Sequence, residues 1–197
     1  MASGRIDNRK DILLLMLYSP GKEESVNEPI IGRTRLVKMV FLFKQEALEH
    51  FRQGTAITPE NFYVFFPWDF GPFSSQVYDD LTFFMLRGFV ESSDSAEESL
   101  PESEEEWAHW RSMSEEVYDQ QDFEQYQEEI LRLTEPKGVE FANALYDTLS
   151  GAQRRLLKEF KARMSSAPLR AILRYVYRNY PDMTPKSKIK EEVLGTR

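Results

Sequence analysis

Between Gly32 and His50 the chain carries Leu36, Val37, Met39, Val40, Phe41, Leu42 and Phe43, and at helical spacing these side chains nearly surround the axis. A helix that is apolar on every side has no face to offer water, so other elements must wrap it. The chain is therefore expected to fold around one central helix, opened by Thr34 as its cap and running to about His50. Leu36, Met39, Val40 and Phe43 belong to its core. With 197 residues, 41% of them apolar, there is enough material for a single well-packed domain.

The remaining punctuation supplies the layers. Asp7 or Asn8 caps a first helix carrying Ile12, Leu13, Leu15, Met16 and Leu17, which Ser19-Pro20-Gly21 stops, and a polar loop follows to Ile31. Phe62–Phe66 reads as a short aromatic strand ended by Pro67, with Trp68–Phe73 a turn. Ser74 or Ser75 caps a third helix through about Arg87. Gly88 ends it, and Phe89-Val90 begins a strand. Ile130–Leu133 reads as a returning strand, and Thr134-Glu135-Pro136-Lys137-Gly138 introduces a helix with Val139, Phe141, Ala142, Leu145 and Tyr146. Two further helices fill 150–180, one capped by Ser150 and one starting at Ser166-Ala167-Pro168 and ended by Pro181. Residues 184–197 read as a flexible basic tail. The expected fold is mainly α with a small β component: a winged-helix-like core, its wing strands Phe89-Val90 and Ile130–Leu133, with an enlarged acidic wing insertion and extra C-terminal helices. No internal repeat is visible, and 1–197 reads as one domain.

Charge is distributed very unevenly. Residues 1–90 hold 10 Lys and Arg against 11 Asp and Glu; residues 91–136 hold 2 against 16, a net of −14; residues 137–197 hold 13 against 6, a net of +7. The acidic insertion, 91–129, also carries Trp107 and Trp110, and with Met113, Val117 and Tyr118 these suggest an amphipathic helix. So concentrated a charge reads as a recognition element rather than core, either presenting carboxylates and both tryptophans to a basic partner or folding back on the Arg154–Arg178 stripes to shield them; the plain alternative is a solvated loop whose two rings pack on the domain.

The segment Gly32-Arg33-Thr34-Arg35-Leu36-Val37-Lys38-Met39-Val40-Phe41-Leu42 resembles the opening helix of the YwgA-like bacterial proteins and the related Panacea-domain antitoxins. The aromatic run into Phe70-Gly71-Pro72-Phe73-Ser74, followed by a helix and Gly88-Phe89-Val90, is similar to theirs as well. The resemblance covers roughly residues 8–90 and extends over 130–148. It departs from the antitoxin pattern in the acidic insertion and in the basic helices after Ser150. It implies a non-enzymatic interaction domain, of a kind linked to toxin neutralisation or mobile-element and phage defence.

No catalytic pattern is readable. There is no cysteine, which removes disulfides, thiolate zinc and a cysteine nucleophile. The two histidines, His50 and His109, have no metal-ligand spacing, and neither a nucleophile elbow nor a phosphate-binding glycine loop occurs. Asp79-Asp80 reads as a pair of solvated charges on an exposed helix face. An enzyme, a cofactor and a metal are therefore not expected. The longest apolar run, Ile12–Tyr18, is far shorter than the roughly 20 residues of a membrane span, and residues 1–10 carry no apolar signal core, so a cytoplasmic protein without a membrane partner is expected.

Two kinds of partner remain. Another protein is the first expectation, bound through Trp68, Phe70, Trp107 and Trp110, although a tryptophan placed like Trp68 more often simply closes a core. Gly71-Pro72 beside them has a plainer use, glycine giving a backbone geometry or close approach that a side chain forbids and proline fixing the turn. Nucleic acid is the second, through Arg154, Arg155 and Lys158 (with Lys161) and through Arg170, Arg174 and Arg178, which recur every fourth residue; the plainer reading of these stripes is solvated helix surface, or pairing with the acidic insertion. Gln76, Asp79 and Asp80 on the third helix would repel phosphate and argue against the usual winged-helix docking.

Overall fold

The structure, a computed structural model, describes residues 6–93 and 129–195. Trp107 and Trp110, with the proposed amphipathic helix around them, lie outside the described residues. Among those described, the protein is mainly helical with a small three-stranded sheet and a separate two-stranded hairpin.

Helix α1 (Arg9–Tyr18) starts at Asn8, whose side chain accepts from the Lys10 N–H while Asp11 accepts from the Asn8 N–H, a reciprocal cap. Every residue from Ile12 to Tyr18 is buried, so this helix too is enclosed on all sides. Strand β1 (Ile30–Ile31) precedes α2 (Arg33–Leu42). The expected Thr34 cap is not used: Gly32 stands at the N-cap with φ 88°, and its N–H donates to the Glu129 carbonyl at 2.7 Å. Leu36, Met39, Val40, Phe41 and Phe43 are wholly buried, as the all-round apolar pattern requires. The helix widens into one π turn, Phe43–Ala47, and ends as α3 (Leu48–Phe51).

The expected strand at Phe62–Phe66 does not form. Phe62 and Tyr63 are buried in irregular chain, and the strand comes later, as β2 (Phe66–Trp68). It pairs antiparallel with β3 (Gly71–Phe73), where a turn was expected, leaving Asp69-Phe70 as the connection. Pro67 lies opposite Pro72. Neither ring has an N–H, and alternate antiparallel pairs exchange no hydrogen bonds, so two facing prolines occupy a position that needs no donor. Pro67 thus sits inside a strand rather than ending one.

Helix α4 (Ser75–Leu86) follows with Ser74 at its N-cap, although the Ser74 hydroxyl makes no cap bond. Then β4 (Val90–Ser92) and β5 (Ile130–Leu133) pair antiparallel, and β5 pairs with β1 on its other side, giving the order β1-β5-β4. Glu129 at the foot of β5 is buried and accepts from Arg33 Nε at 2.8 Å and from the Ser92 hydroxyl at 2.7 Å. Glu91, Ser92 and Glu129, counted in the insertion by sequence, are therefore part of the folded body.

Helices α5 (Lys137–Asp147), α6 (Gly151–Ser166) and α7 (Leu169–Asn179) complete the wrap, α6 with a reciprocal Ser150–Gln153 cap. Packing α1 on α5 and β5, and α2 on α7 and β3, places the two most apolar helices at the centre. The expected flexible tail is docked instead. Short helix α8 (Lys190–Leu194) packs on α7, Thr184 and Val193 are buried, and the Lys188 N–H donates to the Asp69 carbonyl. Val193, Leu194 and Ile189 supply the apolar contacts that the polar composition of 184–197 conceals. Among the described residues no helix is long and apolar enough to cross a membrane.

Candidate protein-interaction surface

The β2–β3 hairpin gathers the aromatic residues that the sequence placed near the Gly71-Pro72 step. Side chains alternate along a strand, and the pairs Phe66↔Phe73 and Trp68↔Gly71 put Phe66, Trp68 and Phe73 on one face and both prolines on the other. The three rings touch one another at centroid distances of 5.4 Å (Phe66–Phe73), 6.0 Å (Phe66–Trp68) and 6.2 Å (Trp68–Phe73), and Tyr78 of α4 extends the row at 5.2 Å from Phe73. Phe66 is 39% exposed and neighbouring Val64 58%, while Trp68, Phe70 and Phe73 are half-buried. Trp68 is thus neither a sealed core residue nor a free one. Lys186 stands over its ring at 5.9 Å.

The support beneath this face is rigid. Gly71 has φ 85°, and a Cβ there would lie 2.8 Å from Tyr177 Cε1, so both reasons for a glycine, backbone freedom and close approach, operate at once. The Tyr177 hydroxyl is held at 2.7 Å by Ser187, and burial pushes it up to about 12. Below Pro72 the buried ammonium of Lys38 donates to the proline carbonyl at 2.8 Å, and burial pulls Lys38 down to about 7. At the tip, Lys188 pairs with Asp69 at 2.9 Å. Gly71→Ala is expected to destabilise the protein by about 1–3 kcal/mol, from the strained backbone and the displaced tyrosine together, seen as a lower denaturation midpoint.

Asp80 corrects the reading of the acidic pair. It is 3% exposed and receives Arg9 Nε at 2.9 Å and Lys10 Nζ at 3.5 Å, tying α4 to the start of α1. Asp79 remains exposed, with its carboxyl raised by partial burial and by the neighbouring Asp80 charge. Gln76 accepts from the Val64 N–H at 3.0 Å, bracing the segment that leads into the hairpin.

The basic residues form no single free stripe. Lys161 is buried, donates to the Leu17 and Glu28 carbonyls at 2.7 Å each, and is pulled down to about 7 by burial. Arg154 donates to the Asp147 carbonyl and lies over the Tyr146 ring, Lys158 pairs with Glu24, and Arg174 donates to the Val193 carbonyl. Arg155, Arg170 and Arg178 are exposed. Among the described residues no group of three or more His, Cys, Asp or Glu is placed to hold a metal ion.

Phe66 and Phe73 were missed by the sequence reading, although the alternation Phe66-Pro67-Trp68 and Gly71-Pro72-Phe73 about two residues is a hairpin signal once the prolines are allowed to face each other. Compared with protein-family models, curated proteins and solved structures, the chain gives no significant match to any of them.

Proposed function

We propose that this protein is a non-enzymatic interaction domain that binds another protein through the aromatic face of the β2–β3 hairpin. The carrying observation is the row Phe66, Trp68, Phe73: contiguous rings, partly exposed, on a support fixed by Lys38, Tyr177 and Lys188. Rigid aromatic groups supply contact area at little cost in conformational freedom, which is why tryptophan and tyrosine dominate binding hot spots. A winged-helix-like arrangement is supported by the sheet order β1-β5-β4, with α1, α2 and α4 preceding the β4–β5 pair. The resemblance of Gly32–Leu42 and Phe70–Ser74 to YwgA-like and Panacea-domain proteins, with the toxin-neutralising or defence role it implies, is compatible with a protein-binding surface of this kind. The alternative, a regulator holding nucleic acid through Arg154, Arg155, Lys158, Arg170, Arg174 and Arg178, draws less support, because Arg154, Lys158 and Arg174 already serve partners within the chain.

The test is a comparative pull-down with the full chain and a Phe66→Ser/Trp68→Ala variant. The variant should keep its denaturation midpoint within a few degrees, since the lost rings are already part-solvated. A protein captured by the wild type should be lost from the variant. Capture that is equal for both, or replaced by salt-sensitive nucleic acid, would reject the hairpin surface.

A further inference from the structure

Helix α4 keeps one face that the described chain leaves open. Val77, Asp80, Leu81 and Phe84 turn inward and are buried, whereas on the other side Phe83 is 39% exposed and Leu86, at 80%, is the most exposed large apolar residue among those described. We propose that a second copy of the chain docks on this face, the two α4 helices packing antiparallel about a two-fold axis at Phe83. The surface is separate from the hairpin, and the proposal does not rest on the protein-binding reading.

The order of side chains along the helix carries it. Asp79, Phe83 and Arg87 follow one another at intervals of four and stand in one ridge, with Thr82 and Leu86 in the next. Laying such a ridge into the groove of a neighbouring helix is the commonest form of helix packing. The charges then select the occupant and its direction. Asp79 and Arg87 sit at equal distances on either side of Phe83, about 12 Å apart along the axis at about 1.5 Å per residue. Two antiparallel copies related by a two-fold axis therefore bring Asp79 of each against Arg87 of the other, twice over. A parallel pair would set like charge on like.

Both charges are available for this. Asp79 and Arg87 are exposed, and among the described residues neither side chain makes a hydrogen bond or an ion pair. Arg87 lies instead over the Phe83 ring, 5.6 Å from its centroid. Lys10, 3.9 Å from the same ring, and Arg9 are both turned to Asp80, at 3.5 Å and 2.9 Å. Partial burial and the Asp80 charge raise the Asp79 carboxyl, and Arg9 opposes them from a distance. The carboxylate thus lacks a close counterion, which Arg87 of the second copy supplies. One helix face covers less than the roughly 1,200 Å² of a standard interface. Each chain also carries a net charge of −8, so the dimer is a weak one that forms as concentration rises.

The test is sedimentation equilibrium of the full chain from micromolar to near-millimolar concentration, where the mass should rise from one chain toward two. Leu86→Glu should weaken dimerisation about tenfold or more, since it sets a carboxylate against an apolar face on both sides of the axis. Asp79→Lys and Arg87→Asp, each alone, place like charges opposite one another at two symmetric points and should weaken it about tenfold. The double reversal Asp79→Lys/Arg87→Asp, whose net charge equals that of the wild type, should restore it. All these positions are exposed, so the denaturation midpoint of the dilute chain should stay within a few degrees. A chain that remains monomeric throughout would overturn the proposal. So would a dimer that survives Leu86→Glu, single reversals without effect, or a double reversal as weak as either single one. Phe66→Ser/Trp68→Ala should leave the dimer intact; if it alone dissolves the dimer, the copies meet at the hairpin and the α4 face is wrong. Capture of the hairpin's partner in the pull-down is a separate measurement, so the two readings fail separately.

Discussion

Phe43→Ala is expected to lower the unfolding free energy by about 3–5 kcal/mol, the cost of emptying an aromatic-sized volume that a rigid core cannot refill. The Phe43 ring is wholly buried and meets Phe51 at 5.4 Å, Phe160 at 5.4 Å and Phe62 at 6.3 Å, so it joins the end of α2 to α3, α6 and the chain before the hairpin. It is also the first residue of the π turn, where the backbone has already given up regular helical bonding. Neither circumstance lets the site collapse cheaply. Urea denaturation measures the change. Leu86→Ala is the companion variant: Leu86 is 80% exposed, and its removal should move the midpoint by no more than about 0.5 kcal/mol. Equal effects of the two substitutions would show that Phe43 is not enclosed.

The second large effect is a rise of stability with pH. Lys38 and Lys161 each have their ammonium pulled from 10.5 to about 7 by burial, Lys161 with a small opposing pull from Glu28. Below pH 7 both states of the protein carry these protons, and the folded state bears the full cost of two buried charges. Between about 7 and 10.5 the unfolded chain keeps the protons that the folded chain releases. Stability therefore climbs through that window, by up to about 1.4 kcal/mol per pH unit for each lysine. Tyr63, Tyr177 and Tyr180 act in the opposite sense above pH 10, because burial raises their hydroxyls and the unfolded chain ionises first. The measurement belongs between pH 7 and pH 9.5, by urea midpoints in matched ionic strength. Lys38→Met removes one of the two titrating groups and should roughly halve the slope. It leaves the Pro72 carbonyl without its donor, a cost of about 1–3 kcal/mol that does not vary with pH. A wild-type slope of zero, or an undiminished slope in Lys38→Met, would mean that these ammonium groups reach water.

The same two lysines mark where the sequence stops being legible. Helix α2 could be read because Leu36 to Phe43 are apolar on every side, and such a pattern has one physical outcome. Lys38, the one charged residue within that run, carries no local sign of its burial, and nothing local names the Pro72 carbonyl, 34 residues on, as its acceptor. Lys161 lies three and four residues after Lys158 and Leu157, and helical spacing alone assigns it to the surface row or to the core with equal ease. Asp80 was misread for a related reason: its cations, Arg9 and Lys10, lie far from it in the chain, Arg9 by 71 residues. Ile30-Ile31 is too short to show any period, and its pairing with β5 depends on a partner 100 residues away. The hairpin face is half legible, Trp68 standing out and Phe66 and Phe73 not, because proline ordinarily ends a strand and only the facing Pro72 makes Pro67 harmless. Caps are local, and there Asn8 and Ser150 served as expected.

The clasp at the foot of the β4–β5 pair has a consequence for how the protein can change over time. Arg33, Ser92 and Glu129 fasten the two strands to α2, and the Ser93 N–H donates to the Ile130 carbonyl just above them. The two chain ends that leave this clasp are thus held together by the body of the fold, whatever joins them. For a connection of that kind, doubling the length adds only about 0.6 kcal/mol of closure entropy. For a flexible connection from Ser93 to Glu129, a change of length would therefore cost the packing of α1 and α2 little, since the clasp holds Ser92 and Glu129 in place on its own.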